Sequence, residues 1–405
     1  MVKEKNLDFD TVINRKNTYC LKYDFVKRKG YPEDILPLWV ADMDFKTSSY
    51  VQDAIDRSNS FGVYGYTETD EKYYETVRDW MKSQYDWELE EIRWIIKTPG
   101  VVFALGVAIQ AYSDPGDSVL ILQPVYYPFS EIVNDNDRHL VVSNLVLDDD
   151  QDGVGRYRID FEDFEKKIIE NDVKIFFLSN PHNPGGIVWT EDELILLGDI
   201  CKRHNVIIIS DEIHADFIWK GKHRVLADLK EEFKDIVVTC TSPTKTFNIA
   251  GLQISNIIIP NAQLRRRFKK KLDATGYSQA NLFGILACEA AYKYGTEWLE
   301  AAKSYIYENI LYLKDYVEKN LPGVRMYEPE GTYLVWIDFR GTGFDDKEIN
   351  RKMVYEAKVW LDAGNIFGET GKGFQRVNVA CPRSILAEAL ERINSAFGKK
   401  VGERK

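Results

Sequence analysis

Five short runs of apolar, mostly β-branched residues alternate with helical patterns through the middle of this chain, and that alternation constrains the fold more than any other feature. The runs are SVLIL (118–122), KIFFL (174–178), VIIIS (206–210), DIVVT (235–239) and NIIIP (256–260). Runs this short and this continuously apolar suit strands covered on both faces, which means a mostly parallel sheet with helices on either side. Between the second and third runs the sequence predicts a helix with a clear start. Thr190 and Glu193 have the spacing of a capping box, and Leu194, Leu197 and Cys201 follow on one helical face. Strand, helix, strand is a βαβ unit, and the fold class is α/β.

The C-terminal third changes character. GTYLVWIDF (331–339) reads as a strand among helical segments at 296–319, 345–361 and 384–397. This predicts a smaller α+β domain over 290–405, joined by part of an N-terminal arm (1–45), beside a large domain over 46–289. Within the arm, LPLWVADMDF (36–45) is too apolar for a free tail and should pack on another surface.

Composition excludes several classes. The 405 residues carry a net charge of −11, which argues against nucleic acid, whose phosphates need a basic face. The one basic stretch, LRRRFKKKL (264–272), has cations on all sides and reads as a solvated helix. No apolar run approaches the roughly 20 residues of a membrane helix, and MVKEKNLDFD has no signal core. The five cysteines are scattered without a CxxC pair, and the five histidines lack H-E-x-x-H spacing. Neither a metal nor a disulfide framework is implied, and a reduced cytoplasmic setting fits. His182, His204, Trp219, Trp336 and Trp360 read as structural residues.

Ligands of open α/β sheets sit beyond the carboxyl ends of the strands. The segments that follow three of the runs are SNPHNPGG (179–186), DEIH (211–214) and CTSPTKTFN (240–248). They bring an amide, a carboxylate, an imidazole, hydroxyls and one lysine, Lys245, to a common rim. Burying an unpaired ammonium costs several kcal/mol, so Lys245 is either exposed or has a task that needs a lysine. A helix start at TPGVV (98–102) adds free N–H groups suited to a phosphate. A lysine, an aspartate and a phosphate cradle together suit pyridoxal 5′-phosphate (PLP).

At this point the chain resembles a known family. PLWVADMDF (37–45), GYT (65–67), TPGVV, PVYYPF (124–129), NPHNPGGIVW (180–189), SDEIHADF (210–217), TKTFNIAGLQ (244–253), EGTYLVWIDF (330–339) and FGETGKGFQRVNVACPR (367–383) occur in order across nearly the whole chain. The set is similar to fold-type-I PLP enzymes of the aspartate aminotransferase superfamily, and within it to the MalY/PatB class of cystathionine β-lyases and related carbon–sulfur lyases. The resemblance implies that Lys245 holds PLP covalently and serves as general base at the substrate Cα. It implies that Asp211 pairs with the pyridine nitrogen, that Asn183 donates to the 3′-oxygen and that Tyr126 stacks on the ring. Gly100, Val101 and Val102 would cradle the phosphate, with Ser242 adding a hydroxyl. Tyr66 would reach the phosphate of a neighbouring subunit, making a homodimer. Arg376 would bind the substrate α-carboxylate, with Arg383 as the nearby alternative. His214 stands where aminotransferase relatives often carry a tyrosine, and it either serves that oxygen or simply packs.

Three departures stand out. Thr244 replaces a serine, Gln253 stands where an arginine is usual near the phosphate, and Gly186–Ile187 replace an expected valine and arginine. Gln253 leans toward the lyase branch. The implied reaction is α,β-elimination of L-cystathionine or a related S-substituted cysteine to thiol (homocysteine), pyruvate and ammonia. An aminotransferase would share the lysine, aspartate and arginine, and a regulatory protein retaining PLP is a third reading. A nicotinamide dehydrogenase fails, because no G-x-G-x-x-G opens the first βα unit.

Overall fold

The computed structural model describes residues 3–148 and 155–398. All five apolar runs lie in one seven-stranded sheet. Its strands are β1 (Ile95–Thr98), β2 (Ser118–Gln123), β3 (His139–Asn144), β4 (Val173–Ser179), β5 (Ile207–Asp211), β6 (Val237–Thr241) and β7 (Ser255–Ile258), in the order β1-β7-β6-β5-β4-β2-β3. From β3 to β6 every pairing is parallel. Only β7 runs against its neighbours, antiparallel to both β6 and β1. The reason is the connection. Parallel strands need a crossover over the sheet face. Residues 242–254 make only a single helical turn, Pro243–Thr246, and a 3₁₀ turn, Ala250–Leu252. The chain therefore turns back at the end it left, and Lys245 stays at that rim.

Both faces of the sheet are covered. One packs on helix α1 (Val101–Tyr112) and helix α3 (Ala262–Ala274), through Val119, Ile121, Ile209 and Val238 against Leu105, Ile109 and Phe268. The other packs on helix α2 (Glu191–Arg203), whose Thr190–Glu193 capping box is formed and whose Leu194, Leu197 and Cys201 are buried. In α3 only Leu264, Phe268 and Leu272 are buried, so its cations face solvent.

A second sheet is antiparallel, made of β8 (Arg325–Tyr327), β9 (Leu334–Asp338), β10 (Asp362–Ala363) and β11 (Phe374–Asn378), in the order β8-β9-β11-β10. Helix α4 (Thr296–Asn320) and helix α5 (Arg383–Phe397) pack beside it and against each other. The continuous helix expected over 345–361 does not form. It stops after Glu356; Lys358 takes φ 51°, and Val359–Trp360 become a strand paired in parallel with Leu36–Pro37. Tertiary pairing overrides the helical pattern there, because it stacks Trp360 on Trp39 with ring centroids 4.3 Å apart.

That pairing starts the path of the arm, which lies buried as its apolar content requires. Leu38 and Met43 are fully buried. Side-chain amides satisfy its backbone in place of a sheet. Asn378 Nδ2 donates to Val40 O and Asp42 O, and Asn248 Nδ2 to Met43 O and Phe45 O. Charges pin it further. Lys22, with no exposed side-chain surface, sits 2.6 Å from Asp44, and Arg15 reaches both Asp42 (2.6 Å) and Asp44 (2.7 Å). Removing one partner of a buried pair strands the other. Asp44→Ala should therefore lower stability by about 3 kcal/mol or more, measured as a drop in the urea midpoint.

Candidate active site

The carboxyl ends of β1, β2, β4, β5 and β6 open on one cavity of about 180 Å³, lined by Pro99, Gly100, Val101, Val102, Tyr126, Ser179, Asn183, Asp211, His214, Thr244, Lys245 and Ala41 among others. Each polar group is there for a local reason. Asp211 is the last residue of β5, where alternation turns its side chain to the rim, and its carboxylate accepts from the Ile213 N–H at 3.2 Å. Its neighbour Glu212 is engaged elsewhere, by His223 (2.8 Å) and Ser210 (2.8 Å). Asn183 ends the loop after β4, and its backbone carbonyl accepts from the Tyr126 N–H at 3.0 Å, which ties the two loops together. Lys245 sits on the turn after β6, and Nζ donates to the Ala41 carbonyl at 2.5 Å. The Tyr333 hydroxyl donates to that same carbonyl at 3.1 Å.

The segment expected to cradle a phosphate is a helix start. The first intrahelical bond of α1 runs from the Ala104 N–H to Gly100 O, leaving the N–H groups of Val101 and Val102 ahead of it. Space is available at that point, since a Cβ added to Gly100 would touch nothing within 4 Å. Ser242 stands at the start of the turn that carries Lys245. Its hydroxyl donates to Ile254 O at 2.7 Å and caps the turn by accepting from the Thr244 N–H at 3.1 Å. The Ser242 hydroxyl also lies 2.7 Å from that of Thr244, and Thr244 and Ser179 line the cavity.

Arg376 comes from the other sheet. It lies on β11, buried, with Nη1 donating to Asn183 Oδ1 at 2.9 Å, and Nη2 donating to Trp39 O at 3.1 Å and to the carboxylate of Asp362. Because Asn183 Oδ1 accepts from Arg376, its NH₂ is the end left to donate to a ligand. Arg383 is not at the site. It packs over Tyr312 of α4 and donates to Asn309.

Burial sets the acidities. Desolvation pushes Asp211 up to about 7, against the Ile213 N–H and the Lys245 charge. It pushes Lys245 down to about 8, with Asp42 and Asp211 pulling the other way and Arg376 adding to the fall. His214 is driven well below the ordinary imidazole value by burial and by Lys245 and Arg376, so it is neutral; its Nδ1 is buried with no partner. Unsatisfied buried groups of this kind fit a polar ligand. A carboxylate needing a cationic partner, a lysine near neutrality, a free amide NH₂ and a helix start are the donor set that PLP requires.

Two departures gain an account. Gly186 has φ 65°, and an added Cβ would meet Pro329 at 2.6 Å, so valine cannot stand there. Gln253 is exposed and lines a second cleft, about 560 Å³, with Pro99 and with Tyr66, whose side chain is 98% exposed. His182 and His204 are structural as read. Burial holds His182 down to about 3, and His204 pairs with Glu165 at 2.8 Å. Ala41 and Tyr333 had no signal as site residues. Ala41 and Trp39 act through backbone carbonyls, which carry no residue signature; Asp362 had one weak sign, a carboxylate inside an apolar stretch.

Comparison with known proteins agrees with this geometry. The aminotransferase class I and II family profile matches residues 33–393. Cystathionine β-lyase PatB of Bacillus subtilis is 40% identical over 392 residues, covering 96% of this chain and 100% of that one. Protein MalY of Escherichia coli is 30% identical, covering 96% and 98%. The crystal structure of cystalysin from Treponema denticola, which contains a PLP cofactor, superposes with a TM-score of 0.91 at 40% identity, covering 96% and 98%.

A lysine whose acidity is raised by burial should be reactive while surface lysines are still protonated. In the cofactor-free protein, reductive methylation of Lys245, followed by mass spectrometry against pH, should show a midpoint near 8. Asp211 sets a second pH effect. Its folded value, about 7, lies above its ordinary 3.8. The cost of ionising it in the fold therefore grows through that interval and is complete above it. Asp211→Asn should thus raise the melting temperature of the cofactor-free protein at alkaline pH and leave it nearly unchanged below pH ~4.

Proposed function

This chain belongs to the aminotransferase class I and II family, and within it we propose that it is a PLP-dependent carbon–sulfur β-lyase. It would cleave L-cystathionine or related S-substituted cysteines to a thiol, pyruvate and ammonia. The observation that carries this reading is the convergence of Lys245, Asp211 and Asn183 on one cavity beside a helix start, with Arg376 of the second sheet bonded to Asn183 at 2.9 Å. The names of its relatives, cystathionine β-lyase PatB and cystalysin, support it.

The cofactor supplies an electron sink for a carbanion at the substrate Cα. The chain's own residues do the rest. Lys245 removes the Cα proton, a task matched to an amine whose acidity lies near neutrality. Asp211 would pair with the ring nitrogen and keep it protonated. Asn183 would offer its NH₂ to the ring oxygen, and Tyr126 would stack on the ring. Gly100, Val101 and Val102 would receive the phosphate, with Ser242 adding a hydroxyl. Arg376 grips the α-carboxylate with its planar fork, and the thiolate leaves from Cβ.

The same proposal includes a homodimer in the cytoplasm, with the arm at 1–45, the large domain at 46–289 and the small domain at 290–405. Phe61, Val63, Tyr64 and Tyr66 form an exposed apolar run beside Pro99 and Gln253. A run of this kind fits an interface between copies, with Tyr66 completing the partner's phosphate site. The five cysteines are free, as a reducing compartment would leave them.

Two experiments test these statements. With L-cystathionine, the PLP-loaded protein should release pyruvate and thiol in equal amounts without an added 2-oxo acid, and Lys245→Ala should be inactive. Turnover only with the oxo acid, with no thiol, would make the protein an aminotransferase. Tyr66→Ala and Lys245→Ala proteins, each impaired alone, should regain activity when mixed and allowed to exchange subunits, because one site of the hybrid is intact. Failure to complement would place Tyr66 outside the partner's site.

A further inference from the structure

Arg376 has five N–H groups, and their present use is informative. Nη2 spends both of its hydrogens, one on Asp362 and one on Trp39 O; Nη1 spends one on Asn183; Nε is buried with no partner. The face of the guanidinium lies on the Phe367 ring, with Cζ 4.8 Å from its centroid, so a ligand approaches along an edge. A guanidinium has two edges that can grip a carboxylate with two parallel N–H groups, Nη1–Nη2 and Nε–Nη2. Both edges need an Nη2 hydrogen. A substrate carboxylate can bind in this way only if Asp362 or the Trp39 carbonyl gives way.

The Trp39 carbonyl is fixed. Leu38 is bonded through N–H to Trp360 O (2.8 Å) and through its carbonyl to the Asn378 N–H (2.9 Å), and Val40 O accepts from Asn378 Nδ2 at 2.6 Å. Asp362 is held by less. It faces Arg376 directly across the β10–β11 pairing, and among the described residues Arg376 is the one hydrogen-bond partner of its carboxylate. Rotation of one side chain frees the edge.

We propose that Asp362 is a built-in competitor, a carboxylate that holds the substrate's place on Arg376 and is displaced when an amino-acid carboxylate binds. This rests on the reading of Arg376 as the α-carboxylate anchor. It has a consequence for specificity. A ligand offering only a carboxylate must displace Asp362 with that one contact, whereas an amino acid brings further contacts to the site. Plain carboxylates are disfavoured, and pyruvate, a carboxylate product without an amine, leaves readily.

The test is calorimetric titration of the PLP-loaded protein with 3-(methylthio)propionate, a thioether carboxylate that lacks the amine and cannot react. Asp362→Asn keeps the shape and removes the competing charge. It should bind this probe about tenfold more tightly than the unaltered protein. The KM for L-cystathionine should fall while kcat changes less, and Asp362→Glu should restore weak binding. Asp362→Ser serves in the same way if the asparagine variant does not fold. Unchanged or weaker binding in these variants, with Arg376→Gln weakening the probe, would overturn the competitor and leave the anchor standing. An Arg376→Gln variant that binds the probe as well as the unaltered protein would overturn both.

Discussion

Two buried cations set the terms for the structure around them. Lys245 and Arg376 arise from different sheets, yet each donates to a carbonyl of the same short stretch of arm, at Ala41 and Trp39. Carbonyls orient a cation but do not neutralise it, so carboxylates must stand near: Asp42 and Asp211 for Lys245, and Asp362 for Arg376. The arm can serve both because it is itself held from several sides. The side-chain amides of Asn248 and Asn378 bracket its backbone, and the Lys22–Asp44 pair anchors its end. An extended segment outside either main sheet would otherwise leave polar groups unpaired in the core.

The direction of one strand makes this arrangement possible. Had β7 been parallel to β6, the connection between them would have had to cross the sheet to its other end. It is antiparallel, so residues 242–254 remain beyond the carboxyl end of β6, level with the loops after β4 and β5. Lys245 thus meets Asp211 and Asn183 without leaving the rim. The hydroxyls of this turn divide their work in consequence. Ser242 ties the turn to Ile254 at the return strand, and Thr244 is left facing the cavity.

Much of this was legible in the sequence, for physical reasons that can be named. The central strands are buried on both faces, so their apolar runs stand out. The Thr190–Glu193 box is a local interaction and formed as read. The short β1 and the half-exposed β3 lack such runs, and neither was anticipated. The helix expected through residue 361 gave way at Lys358 because the Leu36–Pro37 pairing and the Trp39–Trp360 stack are long-range contacts with no trace in local periodicity. At the site, Lys245 and Asp211 stood out as charged residues following apolar strands, whereas Asn183 and Arg376 were singled out only by the resemblance, since an amide in an N-P-H-N-P turn and an arginine in a strand carry no local mark of a site.

The acidities of the cavity point in one direction. Asp211 is pushed toward its neutral acid, and Lys245 and His214 toward their neutral bases, with desolvation the largest cause in all three. Each shift marks a charged form that the protein alone does not fully stabilise. A ligand that places a cationic ring nitrogen against Asp211 and an anion at the start of α1 offsets both deficits at once. It also leaves Lys245, with the carbonyl of Ala41 as its hydrogen-bond partner, as a weakly held proton acceptor beside the ligand. The polarity of the cavity and the chemistry proposed for it therefore have one origin. The same low-dielectric surroundings that make its charges costly make them responsive to the groups a bound cofactor and substrate bring.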